Sequence, residues 1–185
     1  MNRIIALATF LLVLTASAGW SQKLSDQPGY IPLEQLDLFP RDKLSVEINI
    51  DGALMRLIAA GAKGEDPEFS SLIAGLKAIN VQAVPLKDVD QASVRAKIGR
   101  TVRWLEDHGW KSTLRARSEG QETYIYLKEI DGKIAGLTLL AFEPGDEAVV
   151  INIVGRLDPD QVGRIVQHLP NVGLNKLPSS GKKPE

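Results

Sequence analysis

Asp107 and His108 stand together between Trp104 and Trp110, and no other pair in the chain looks so much like a general acid–base couple. Adjacent residues on a helix point about 100° apart, so the two need not hydrogen-bond to each other. His108 also precedes Gly109, the usual left-handed stop, and a histidine near a helix C-terminus interacts favourably with the dipole. The two tryptophans then read as part of the core or its border. His168 is the only other histidine and cysteine is absent, so no ligand set at metal spacing is available. Asp88-Val-Asp90 begins like a calcium loop, but Ala92 and Ser93 occupy positions that need an oxygen ligand and glycine. Helix capping accounts for both aspartates. Ser70-Ser71 lies inside an amphipathic pattern without a Gly-x-Ser-x-Gly elbow. Gly61, Gly64, Gly75 and Gly99 have neither dinucleotide nor Walker spacing. The residues therefore predict no catalytic group, no metal site and no cofactor.

Contact is the chemistry that remains, and hairpin arithmetic says where. A two-residue Asp131-Gly132 turn pairs Ile130 with Lys133, Tyr126 with Leu137 and Tyr124 with Leu139. A two-residue Pro144-Gly145 turn pairs Leu139 with Val150 and Leu137 with Asn152. A hairpin closing about Gly120 sets Arg115 opposite Tyr124 and Thr113 opposite Tyr126. Side chains alternate across a strand, so Arg115, Tyr124, Tyr126, Leu137, Leu139, Ala141, Val150, Asn152 and Val154 share one sheet face. Leu114, Ile125, Leu127, Ile134, Thr138, Leu140, Val149, Ile151 and Ile153 share the other. The second set is more uniformly aliphatic and is expected to meet the helices. The first has an apolar centre with tyrosine, arginine and asparagine around it, and apolar residues on both faces require a second cover. That cover is the 30–39 arm, a second copy of the chain, or a ligand or partner protein.

The elements behind this face follow from periodicity. Leu44, Val46, Ile48 and Ile50 alternate with polar residues as a half-buried strand does. Asp51 can cap a helix with Leu54, Leu57, Ile58 and Gly61 on one side. Asp66-Pro67 opens another helix, with Phe69, Leu72, Ile73 and Leu76 inward. A strand over 79–86 follows, then a long helix carrying Val94, Ile98, Val102 and Leu105. Strands over 110–117, 122–129, 133–142 and 147–154 form a run of hairpins. Asp158-Pro159 opens a last helix with Val162, Ile165, Val166 and Leu169. The order β-α-α-β-α-β-β-β-β-α predicts a single α+β domain over 44–170, its sheet largely antiparallel and its helices on one face.

The flanks are of other kinds. Asn2-Arg3, the apolar run over 4–14 and Thr15-Ala16-Ser17-Ala18 follow the order of a secretory signal peptide, with cleavage predicted after Ala18. The run is well short of the roughly 20 residues that cross a bilayer, so no permanent span is expected. Residues 19–43 form an N-terminal arm whose Ile31, Leu33, Leu36, Leu38 and Phe39 are oddly apolar for a linker. Residues 171–185 read as a flexible tail. With Lys plus Arg at 22 and Asp plus Glu at 23, the charge balance argues against nucleic acid as a partner. The expected location is periplasmic or secreted.

The export signal, the block VEINIDGALMRLIAAGAKGEDPEFSSLIAGLKAINVQ, LEDHGW and the late VVINIVGRL strand together resemble the bacterial family called domain of unknown function 4252. The resemblance spans most of 44–169. It implies an exported bacterial domain of a family often met as envelope proteins or lipoproteins, and it supplies no functional residue. Having no cysteine, this chain departs from the lipoprotein form. The function expected is that of a non-enzymatic binding or interaction module of the cell envelope, acting through the face that bears Arg115, Tyr124, Tyr126, Leu137, Leu139, Val150 and Asn152. Its partner would be an envelope protein or a second copy. The alternative is a small periplasmic hydrolase or lyase using carboxylates that no motif reveals.

Overall fold

The structure, a computed structural model, describes residues 23–64 and 66–158. The predicted signal peptide, the helix expected after Asp158-Pro159 and the predicted tail lie outside the described residues. The arm contains a short helix, α1 (Leu33–Leu36). Strand β1 (Val46–Asp51) runs without a loop into α2 (Gly52–Ala62), and α3 (Pro67–Gly75) follows. Then come β2 (Leu76–Pro85), α4 (Gln91–Asp107), β3 (Trp110–Ser118), β4 (Gln121–Ile130), β5 (Lys133–Phe142) and β6 (Glu147–Leu157). The six strands form one antiparallel sheet in the order β1-β2-β6-β5-β4-β3. The α+β architecture is as the periodicities predict.

The crossover from β2 to the far edge at β3 is made by α4. Asp90 caps it, its carboxylate accepting from the Ala92 amide at 3.1 Å, and Gly109 ends it at a φ of 72°. Val94, Ile98, Val102 and Leu105 form the buried stripe that the 3.6-residue period predicts. Burying such aliphatic side chains stabilises the fold by about 1.5–3 kcal/mol each.

The helices divide between the two sheet faces, where the sequence had placed them on one. Helix α4 and the arm share a core with Tyr124, Tyr126, Leu140, Phe142, Ala148 and Val150. Met55 of α2 and Ile73 of α3 belong to a second core with Ile125, Leu137, Leu139, Val149, Ile151 and Ile153. Apolar residues on both sides of β4, β5 and β6 require this arrangement.

Two local differences have clear causes. Because α2 continues β1 directly, the strand fixes the helix's rotation, and its inward stripe is Met55, Ile58 and Ala59. Leu54 and Leu57, expected inside, are exposed. Strand β2 begins at Leu76, which the sequence had assigned to the preceding helix. Helix α3 stops at Gly75, where a Cβ would stand 2.8 Å from the Arg156 carbonyl oxygen. Among the described residues no helix is long and apolar enough to cross a membrane.

Candidate functional site

The first hairpin pairs Arg115 with Tyr124 as expected, but a bulge at Thr113 leaves Ser112 opposite Tyr126. Ile130 faces Lys133, also as expected. A second bulge, between Lys128 and Glu129, then moves Thr138 opposite Tyr126 and Leu140 opposite Tyr124. The β5–β6 turn is one residue longer than predicted. Glu143 N–H donates to Glu147 O, and Asp146 N–H to Glu143 O, so that Leu140 pairs with Val150 and Leu139 with Ile151. A one-residue slip turns every side chain of a strand over. Two slips, one on each side of β5, cancel for β6 and leave β5 alone reversed. Leu137, Leu139 and Ala141 therefore lie on the opposite face from Tyr124, Tyr126, Val150 and Asn152. Thr138 and Leu140 stand in their place.

The tyrosine face is covered from within the chain. Ile31, Leu33, Leu38 and Phe39 of the arm pack against it beside α4, and Tyr126, Val150 and Asn152 are fully buried. Asn152 holds the arm as a neighbouring strand would. Its Nδ2 donates to Gly29 O at 3.0 Å, and its Oδ1 accepts from the Ile31 amide at 3.2 Å. The arm backbone comes so close to β5 that a Cβ on Gly136 would lie 2.6 Å from the Gly29 Cα. Further along, Lys97 Nζ reaches the Asp37 carboxylate at 2.8 Å. That hydrogen bond and the lysine's charge hold the Asp37 carboxyl below its ordinary value. What the sequence marked as a contact face is interior.

Only the phenol hydroxyls come out to the rim. Tyr126 OH donates to Glu106 Oε1 at 2.9 Å, and Arg115 bonds both the phenol oxygen and Glu106. Tyr124 OH donates to Glu122 Oε2 at 2.6 Å and accepts from Arg117 at 2.7 Å. Arg95 reaches the other Glu122 oxygen at 3.3 Å. Burial, helped by the Glu122 bond and opposed by Arg117, pushes the Tyr124 phenol above its ordinary value. Each phenol is thus tied between a carboxylate and a guanidinium. These pairs seal the edge of the core. Glu106 and Glu122 were not singled out from the sequence, since nothing in their local spacing links them to tyrosines on other elements.

Two open clefts lie among the described residues: one of about 390 Å³ beside Gln91, Arg95, Phe142 and Pro144, and one of about 500 Å³ between the arm and the far end of α4, lined by Tyr30, Pro28, Pro32, Trp104, His108, Trp110, Lys128 and Ile130 among others. Here the Trp104–His108–Trp110 cluster finds its place. The His108 ring stacks on Trp104 at 4.0 Å between centroids, and its Nδ1 lies 2.7 Å from the Trp104 carbonyl oxygen. No bond links it to Asp107 among the described contacts. Lys128 Nζ donates to His108 O across the helix end, where a cation complements the dipole. Trp110 is buried at the cleft floor, while Ile130 is 40% exposed. Aromatic, proline and aliphatic side chains make up most of the walls, with Ser25, Gln35, His108 and Lys128 among them. Among the described residues, no three histidine, aspartate or glutamate side chains are grouped to hold a metal ion.

No curated protein matches this chain. The family model described as Domain of unknown function (DUF4252) matches residues 41–165, beginning in the last residues of the arm and including all six strands. That span exceeds half of the chain, and the chain belongs to the DUF4252 family.

Proposed function

We propose that this protein is a non-enzymatic binding module exported to the bacterial cell envelope, and that its contact surface is the aromatic cleft at the end of α4. The observation that supports this reading most is the cleft's composition. Tyr30, Trp104 and Trp110 meet there with two prolines and an exposed isoleucine, and Lys128 is engaged by a backbone carbonyl. Aromatic side chains offer large contact area, and concave, mostly apolar clefts with a few placed polar groups are where ligands are held. The positive, apolar and small-residue order read in residues 1–18 supports the location. The ligand that fits is a partner segment offering aliphatic or aromatic side chains.

The test is cross-linking in envelope fractions with the mature protein, its Trp104→Ala variant and its Trp104→Phe variant. A partner captured by the parent, lost with alanine and regained with phenylalanine supports the cleft. Capture undiminished by Trp104→Ala refutes it.

A further inference from the structure

The two edges of the sheet are treated differently. Edge strand β3 is broken by the bulge at Thr113 and carries Lys111, Arg115 and Arg117, devices that prevent a further strand from adding. Edge strand β1 has no bulge and no basic residue, its charges being those of Glu47 and Asp51. Its register with β2 is unbroken from Val46 to Asp51, and it contains no lysine, arginine or proline. Val46 and Ile48 are 38% and 40% exposed, and α2, which continues the strand, exposes Leu54 and Leu57 at 47% and 68%. Among the described residues no strand pairs with its outer side, and a regular, partly apolar strand edge is a template for pairing.

We infer that β1 pairs antiparallel with β1 of a second copy, about a two-fold axis midway between Ile48 and its own copy, to make one continuous sheet. Overlap and charge together select this register, since centres on Val46 or Ile50 would pair no more than about three residues of the strand. A two-fold axis normal to the sheet keeps each side chain on its own face, so the axis must lie midway between a residue and its own copy. Centred on Glu47, the pairing sets two glutamates against each other. Centred on Asn49, it sets Glu47 against Asp51. Centred on Ile48, it places Val46 opposite Ile50, Glu47 opposite Asn49 and Ser45 opposite Asp51. No like charges then face each other, and the apolar stripe Val46-Ile48-Ile50 runs across the seam.

The cysteine-free chain offers a direct test. Residues at the axis face their own copies with Cβ atoms about 5 Å apart, near disulfide range. Val46 would lie four residues from its copy, about 14 Å along the strand. In protein recovered from cells expressing the whole chain, Ile48→Cys is expected to oxidise to a disulfide-linked dimer, and Val46→Cys to stay largely unlinked. The unmodified protein should sediment at twice the chain mass, and Ile48→Lys at the chain mass with its thermal transition retained. A parent that sediments as a monomer at every concentration overturns the inference. So does equal cross-linking at positions 46 and 48, or a dimer that survives Ile48→Lys.

Discussion

Asn152, on β6, and Gly29, in the arm, are 123 positions apart and joined by a buried hydrogen bond of 3.0 Å from the side-chain amide to the backbone carbonyl. With the bond from Ile31 N–H to Asn152 Oδ1, one carboxamide satisfies a donor and an acceptor of a segment that has no strand to pair with. Buried backbone groups without partners cost about 1–3 kcal/mol each. This side chain is therefore what lets the arm lie on the sheet.

Asn152→Leu is accordingly expected to destabilise the protein by roughly 2–4 kcal/mol, since it orphans two arm groups while keeping the side-chain volume. Asn152→Asp keeps the acceptor and loses the donor, and sets a carboxylate against the Gly29 carbonyl. It should be at least as harmful at neutral pH and milder in acid, where a protonated carboxyl can donate again. Urea unfolding of the three proteins at two pH values checks this. A loss below about 0.5 kcal/mol for Asn152→Leu would show that the arm does not depend on this side chain.

Gly136→Ala tests the arm from the other side. The new Cβ would sit 2.6 Å from the Gly29 Cα and 2.9 Å from its carbonyl oxygen, both backbone atoms that cannot swing away. The arm must lift, exposing the core around Tyr126 and Val150. Increased hydrophobic-dye binding and faster proteolysis within 23–40 are the expected readouts, and deletion of 30–39 should produce the same changes in the rest of the chain. An alanine variant with unchanged dye binding and protease resistance would contradict the close approach.

The same contact explains why the sequence misassigned β5. Its alternation is legible, and so are the two turns that bound it. What no local pattern reveals is an arm more than a hundred positions away, packed where a bulge sets Ile134 and Gly136 out of step with β4. The three-residue turn at Pro144-Gly145-Asp146 supplies a second shift, because Asp146 continues the turn instead of opening the strand. Helix α4 was readable from capping and period together, both being local. Helix α2 was readable as a helix but not in its rotation, which β1 imposes from outside. The cleft's Trp104 and Trp110 could be seen as a cluster, but Tyr30 and Lys128 join them only through the fold.

Leu139→Asp distinguishes the two faces. Leu139 is fully buried, and on the side of Ile125 and Ile151 rather than of Tyr124. A carboxylate there has no partner, and several kcal/mol of destabilisation is expected, enough to abolish cooperative unfolding in a domain of this size. Loss of the near-ultraviolet circular dichroism signal measures it. A folded Leu139→Asp protein that has lost only an association would restore this residue to a contact surface.

Glu147 gives a pH-dependent prediction whose sign is fixed by its neighbours. Partial burial, with Asp146 and Glu143 close by, raises its carboxyl above the ordinary 4.5. A carboxyl with a raised folded-state pKa holds its proton more tightly folded than unfolded, so its charge opposes folding above that pKa. The penalty declines as pH falls through the raised value and is gone below the unfolded one. Glu147→Gln should therefore stabilise the protein at pH 7, and because the residue is exposed to screening water the gain is within about 0.5 kcal/mol. Urea midpoints at pH 7 and at pH 4 decide the matter. The gap between variant and parent must shrink in acid, for a gap of the same size at both values would come from packing at the β5–β6 turn and not from charge.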